Sequence, residues 1–383
     1  MSPAVERVLI AGAGIGGLGL AVGLGRRGIA VDAIEAREDE HVAGIGISVP
    51  NNALRMINEL GLLQDVIDAG FVFDQYVMCD DAGEVIVALP TPPSSDDVPG
   101  YMGISRPVLS AILTGGAVGN GAQIRRGVTI AAVEQDGDGV DVTFSTGEQD
   151  RYDLVVGCEG LRSPLRRELF GEDCGPQFTG YACWRAKPTI PRAVSAMTKY
   201  AGATTKAGLV PINEDEMYLF HVTAEPGNPW FDQRDMRDLL AARLEEYTGV
   251  VADVREHLPE ADEIVYSPLE EVRLPAPWYR DRVVVMGDAA HAVVPHLSQG
   301  GSQALEDAVV LADELGKSQS VAAALHSFMN RRFERASHLQ EVSHHLLVKE
   351  MTKNGSAPPS REHLREGMSQ EMASIRAYLD RPV

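Results

Sequence analysis

Apolar positions along this chain follow two spacings, and each switch between them predicts the boundary of an element. Residues 7–11, Arg-Val-Leu-Ile-Ala, form a short run of the kind needed by a strand covered on both faces. Leu18, Ala21, Val22 and Leu24 then repeat at helical spacing to about Arg27; Gly28 ends that helix, and residues 29–35 predict the next strand. Pro50-Asn51-Asn52 opens a helix with Ala53, Leu54, Ile57 and Leu60 on one face. Runs at 71–79 and 84–89 flank Asp80-Asp81-Ala82-Gly83 and predict a hairpin, and the Pro/Ser/Asp-rich stretch 90–99 predicts a loop. Ser105-Arg106-Pro107 predicts a helix start, with serine as the cap and proline in the first turn. Residues 128–134 and 139–145 alternate as paired strands, 152–157 read as a buried strand, and Ser163-Pro164 opens a further helix.

From about residue 177 the runs become short and β-like, at 181–185, 197–201, 207–212 and 217–222, before helical patterns at 235–247 and 251–258. Residues 282–288 form one more buried strand that ends on an acid, and helices follow from 299, through 322–349 and over 362–378. This interleaving predicts an α/β chain. A Rossmann-like nucleotide domain comes in three pieces, 1–72, 101–176 and 271–335. A mixed or antiparallel β-sheet domain is inserted from 73–100 and 177–270, and C-terminal helices occupy 336–383.

Composition narrows the partners. Lys and Arg number 34 against 55 Asp and Glu, a net charge of −21 that argues against nucleic acid and anionic membrane. No apolar run reaches the roughly 20 residues of a membrane span, and the first residues lack the pattern of a signal peptide. The four cysteines, Cys79, Cys158, Cys174 and Cys183, have no paired or C-x-x-C spacing, so neither a disulfide framework nor a metal site is expected. A cytoplasmic location and a monomer or homodimer are the expectations.

The first candidate chemistry lies in the turn after residue 11. Gly12, Gly14 and Gly17 occupy a G-x-G-x-x-G pattern between strand and helix, and Glu35 ends the following strand. Gly12 permits the tight turn, Gly14 lets a pyrophosphate approach the backbone, and Gly17 lets the helix pack closely on the sheet. The helix N-terminus offers free N–H groups to phosphates, and Glu35 can accept hydrogen bonds from ribose hydroxyls. This stretch alone predicts a dinucleotide and leaves FAD and NAD both open.

Two further signatures decide between them: Asp153-Leu-Val-Val-Gly157-Cys158-Glu159-Gly160-x-x-Ser163, and Gly287-Asp288-Ala289-Ala290-His291 with Pro295 and Gln299-Gly300-Gly301. Together with the first they resemble the single-component FAD-dependent aromatic hydroxylases of the para-hydroxybenzoate hydroxylase superfamily. Within it the pattern is most similar to the urate, 6-hydroxynicotinate and salicylate hydroxylases. The resemblance runs from Val8 to about Arg335. It implies a GR2-type FAD-binding domain in which the Gly-Asp strand lies beside the first strand. It also implies NADH or NADPH as a transient reductant, O2 as co-substrate, and hydroxylation of a small aromatic or N-heteroaromatic substrate through a C4a-hydroperoxyflavin. A flavin-bound sequestering or resistance protein without turnover, or an epoxidase or reductase on the same scaffold, are the other readings.

The resemblance assigns FAD contacts to Gly12, Gly14, Gly16, Gly17, Glu35, Ala36, Arg37, Ser48, Arg106, Ile130, Asp288, Pro295, Ser298, Gln299, Gly300, Gly301 and Ser302. Asp288 would accept hydrogen bonds from the ribityl chain, and Gly300-Gly301 at a helix start would face the flavin edge that becomes negative on reduction. Where the family carries Ala-Asp-Gly, this chain has Cys158-Glu159-Gly160. The inserted sheet should roof the flavin and supply Lys206, Tyr218 and His221 as catalytic candidates. Cys183, Lys206, Tyr218, Phe220, His221 and His296 are the substrate contacts. Lys206 stands near a substrate-binding arginine of the urate hydroxylases, and Cys183 near a polar amide contact, which argues against urate. Tyr218 and Phe220 alternate to one strand face and Leu219 and His221 to the other, so both pairs cannot line one pocket without a bulge.

Overall fold

A computed structural model describes residues 4–39, 44–352 and 361–383. Its floor is a six-stranded sheet in the order Tyr279–Arg280, Val283–Val285, Leu154–Gly157, Arg7–Ala11, Ala30–Glu35, Gln123–Arg126. Of its five pairings, the four from Val283–Val285 to Gln123–Arg126 are parallel and the one at the Tyr279–Arg280 edge is antiparallel. The strand leading to Gly287-Asp288 therefore does not lie beside the first strand. Leu154–Gly157, buried at all four positions, takes the place between them. A strand with no polar position suits the middle of a sheet covered on both faces.

The helix Ile15–Gly25 packs on Gln299–Lys317 through a stripe of small residues. Gly16 faces Ala304, Gly19 faces Leu305 and Ala308, and Gly23 faces Ala312. The glycines bring no side chain of their own to these contacts, so the two helices whose N-termini border the site are held close together. Gln299–Lys317 is in turn fixed to the long helix Val321–Met351 by a buried charge cluster. Arg332 donates to Asp307 at 2.7 Å and to Glu306 at 2.6 Å, while Arg335 donates to Glu306 at 2.7 and 2.8 Å. All four side chains are almost fully buried, so each charge depends on its partners for solvation.

The roof is a seven-stranded sheet ordered Val265–Glu271, Gln177–Ala186, Met217–Ala224, Lys206–Pro211, Met197–Ala201, Gln75–Asp80, Val85–Pro90. All its pairings are antiparallel except that of Met197–Ala201 with Gln75–Asp80. The mixed α/β architecture is thus the expected one. The run at 71–79 is not one strand, however. Phe71–Val72 pairs with Tyr101–Ser105 in a small linking sheet, and Phe73, buried and stacked on Tyr101, turns the chain into the roof.

Alternation along the roof strands sorts their side chains. Trp184, Ala207, Leu209, Met217 and Leu219 pack under the helices Met236–Arg243 and Val250–Glu256. Cys183, Arg185, Lys206, Tyr218 and Phe220 point the other way, toward the floor. The last helix, Arg361–Leu379, lies against Val85–Pro90 and the long helix. No helix among the described residues is long and apolar enough to cross a membrane.

Candidate active site

Between floor and roof lies a cavity of about 430 Å³. Gly12, at φ 109°, makes the turn out of the first strand, and a Cβ there would collide with the carbonyl of Cys158. Gly17 packs on the carbonyl of Gly12, while Gly14 opens onto the cavity with nothing against it. Glu35 accepts from the N–H of Ala13 at 3.0 Å and from that of Arg37 at 3.1 Å, which places its carboxylate at the glycine turn.

The second edge is built by Gly287-Asp288 and by the start of the helix Gln299–Lys317. Asp307 accepts from the N–H of Gly287 at 2.9 Å and contacts His291 Nε2 at 2.6 Å, so the buried charge cluster holds the turn that presents Asp288. Enclosure by the cavity walls raises the Asp288 carboxyl above its ordinary range, and His291 and Arg106 oppose that rise. Gly300 and Gly301 line the cavity in the first turn of the helix, after Ser298 in a left-handed conformation (φ 56°). Arg106 reaches in from the wall, its guanidinium lying over Gly44.

Other sequence candidates lie elsewhere. Ala36 and Arg37 are exposed beyond the turn, Arg37 pairing with Asp39 at 3.5 Å. Ile130 packs on the core at the start of its strand. Gln299 turns inward and bonds to Asn52, and Ser302 donates to the Ser298 carbonyl. Glu159 also turns away: it accepts from Ser163 at 2.6 Å and from the N–H of Leu165 at 3.0 Å, capping the helix Pro164–Phe170. Only its neighbours Cys158 and Gly160 border the cavity.

The roof face carries Cys183, Arg185, Met197, Lys199, Lys206, Tyr218 and Phe220. Tyr218 Oη lies 3.2 Å from Ser48 Oγ, tying roof to wall, and its ring covers Gly46 so closely that no Cβ fits there. Lys206 forms an ion pair with Glu350 at the end of the long helix. Burial lowers the Lys206 ammonium to about 8, partly offset by Glu350, with Lys199 adding repulsion. Against its own burial, Glu350 is held down at about 2 by Lys206, Lys199 and His296. Glu350, Lys199 and Arg185 escape a sequence reading. The two basic residues share the strand parity of Met197 and Cys183, but Glu350 lies 144 residues from Lys206.

His221 does not reach the cavity. It lies on the opposite face of its strand, fully buried, with its ring edge on Tyr247 at 5.8 Å between centroids. Its nitrogens approach the backbone of Lys206 and Arg243 without a well-aligned hydrogen bond, and burial lowers its pKa to about 4, so it is neutral. Period-2 alternation assigns it to the face of Leu219 and excludes it as a base or substrate contact here. His296 is also displaced: it borders a second cavity, 3.8 Å from Glu350.

The cradle fits a dinucleotide. Gly12 and Gly17 leave no room for a Cβ in the first turn, a helix N-terminus faces inward on each edge, and the carboxylates of Glu35 and Asp288 are placed one at each edge. Residues 6–343 match the family described as FAD binding domain.

The chain belongs to that family.

It is an FAD-binding member of the para-hydroxybenzoate hydroxylase-type monooxygenases. Its relatives include the aurachin C monooxygenase/isomerase of Stigmatella aurantiaca, 33% identical and covering 96% of each chain. The 2-heptyl-3-hydroxy-4(1H)-quinolone synthase of Pseudomonas aeruginosa is 31% identical over 80% of this chain and 79% of its own. The crystal structure of Klebsiella pneumoniae HpxO complexed with FAD and uric acid superposes with a TM-score of 0.84, covering 98% of this chain and 96% of that one. At 24% identity that likeness is one of fold.

Proposed function

We propose that this FAD-dependent monooxygenase uses NADH or NADPH and O2 to hydroxylate a small aromatic or N-heteroaromatic substrate held between the cradle and the roof. The observation that carries the reading is the pairing of an aromatic wall, Tyr218 and Phe220, with buried Lys206 and Lys199 directly across from the dinucleotide cradle. Two ammonium groups share one carboxylate, Glu350, so this end of the cavity is suited to a substrate oxyanion or carboxylate. Ring substrates with an ionised oxygen are the more nucleophilic form, and holding that form is a task for Lys206.

Bound FAD would accept hydride and activate O2. Asp288 and Glu35 would hold its hydroxyl-bearing chains, and the N–H groups at Gly300 and Gly301 would face its ring edge. Tyr218, kept neutral by burial, packs against Ser48 and closes the roof, and the apolar wall of Met197, Phe220 and Val222 excludes water. Relatives whose names carry an aromatic or heteroaromatic compound agree with this use of the site.

The test is FAD reconstitution, followed by NADH and NADPH oxidation across a panel of phenols, aromatic acids and N-heteroaromatics under heavy-isotope O2. Substrate-stimulated oxidation with label in the product is expected. Reductant consumption that yields only hydrogen peroxide across the whole panel overturns the reading.

A further inference from the structure

A second cavity of about 410 Å³ adjoins the first, sharing Met197, Lys199 and Ser298 as lining. It is nearly as large as the cavity that houses the cradle and roof, and its character is different. Leu89, Tyr101, Leu346, Met372 and Ile375 are among its walls, and the polar groups gather at the neck: buried Lys199 and His296, and half-buried Glu350. His296 is 5% exposed and neither ring nitrogen has a hydrogen-bond partner. A buried imidazole without a partner costs free energy unless a ligand supplies one.

The wall opposite the neck is the helix Arg361–Leu379, and it is fastened at several points. Arg335 donates to the carbonyls of Tyr378 and Leu379 at 3.1 Å, Arg376 donates to that of Pro92 at 2.6 Å, and Lys349 pairs with Glu371 at 2.9 Å. A largely apolar chamber of this size, with one wall a fastened helix and the aromatic wall next to it, suits an apolar group better than water.

We infer that this second chamber takes an apolar tail carried by the aromatic substrate. The ring lies under Tyr218 and Phe220, a polar atom where ring meets tail bonds His296, and the chain runs between Leu346 and Ile375. The substrate class is therefore a ring bearing a long hydrocarbon chain. The inference rests on the hydroxylase reading for the ring; the chamber itself stands on geometry alone.

The test uses the FAD-loaded protein and ortho-alkylphenols from methyl to nonyl, whose oxygen sits beside the chain, with binding read from the flavin visible spectrum. The dissociation constant should fall roughly three- to fourfold per added methylene until the chamber is full. In Leu346→Trp and Ile375→Trp, which fill the chamber, the ratio of methyl to nonyl dissociation constants should collapse by at least about tenfold. Met372→Phe, a milder filling, should reduce it in part. The ratio is taken within one protein, so a general loss of stability does not mimic it. A flat chain-length profile in the unmodified protein, or equal slopes in all four proteins, overturns the inference. Product analysis runs in parallel. Tail-dependent binding without hydroxylated product keeps the chamber and removes the hydroxylase reading. Hydroxylation of the methyl compound with a flat profile does the reverse.

Discussion

Asp288 and Lys206 face one cavity from opposite sides, and in the proposed function each acts through charge. Replacing Asp288 with alanine removes a charge-assisted acceptor worth about 1.5–3 kcal/mol. FAD affinity should fall roughly 10- to 150-fold, read by titrating the apoprotein and following flavin fluorescence. Lys206 titrates in the reverse sense. Its ammonium is lowered to about 8 by burial, with Glu350, Lys199 and Cys183 as the charged or titratable groups facing it. The cation is therefore present below pH 8 and is lost above it. Affinity for an anionic aromatic substrate should hold steady below that point and decline as pH rises through it, and Lys206→Met should weaken binding and erase the break. A pH series of equilibrium titrations checks both. Lys206, Tyr218 and Phe220 are legible in the sequence because strand parity groups them on one face. Parity also separates His221 from them, but it does not say which face meets the cofactor. That depends on the helices Met236–Arg243 and Val250–Glu256 covering the other side.

Among the elements, the pair Gln299–Lys317 and Val321–Met351 bears most on the site. Arg332→Leu would strand Glu306 and Asp307 without their shared partner, a cost of about 3–5 kcal/mol for a broken buried pair. Asp307 also holds Gly287 and His291, so the same change should weaken FAD binding although Arg332 does not line the cavity. Urea unfolding of the apoprotein and FAD titration of the folded fraction measure the two effects separately. The helices are readable from apolar periodicity and caps, yet their clasp is not, because Glu306-Asp307 sits among apolar residues like any polar turn of a helix. Strand order is also beyond local pattern. Parallel strands are joined by long crossovers, so the insertion of Leu154–Gly157 between Arg7–Ala11 and Val283–Val285 leaves no mark at the strands themselves.

For the molecule as a whole, one ligand site is shared by both sheets, so occupancy should raise the stability of the entire chain. At FAD one hundredfold above its dissociation constant the gain is about 2.7 kcal/mol. A thermal melt monitored by tryptophan emission should move upward with FAD and move less for Asp288→Ala at equal FAD. The three glycine-bearing signatures announce this cofactor, and nothing in them announces the second chamber, whose walls come from residues 89, 101, 346 and 375 and meet only in three dimensions. The height of the room, finally, is decided at Gly46, where the ring of Tyr218 rests on bare backbone. An added methyl there would act as a shim, lifting the ceiling off its support and letting solvent leak toward the reacting oxygen. New specificities can be explored at Cys183 or Met197 by swapping furniture, but position 46 is a spacer made of empty space and has no larger size to offer.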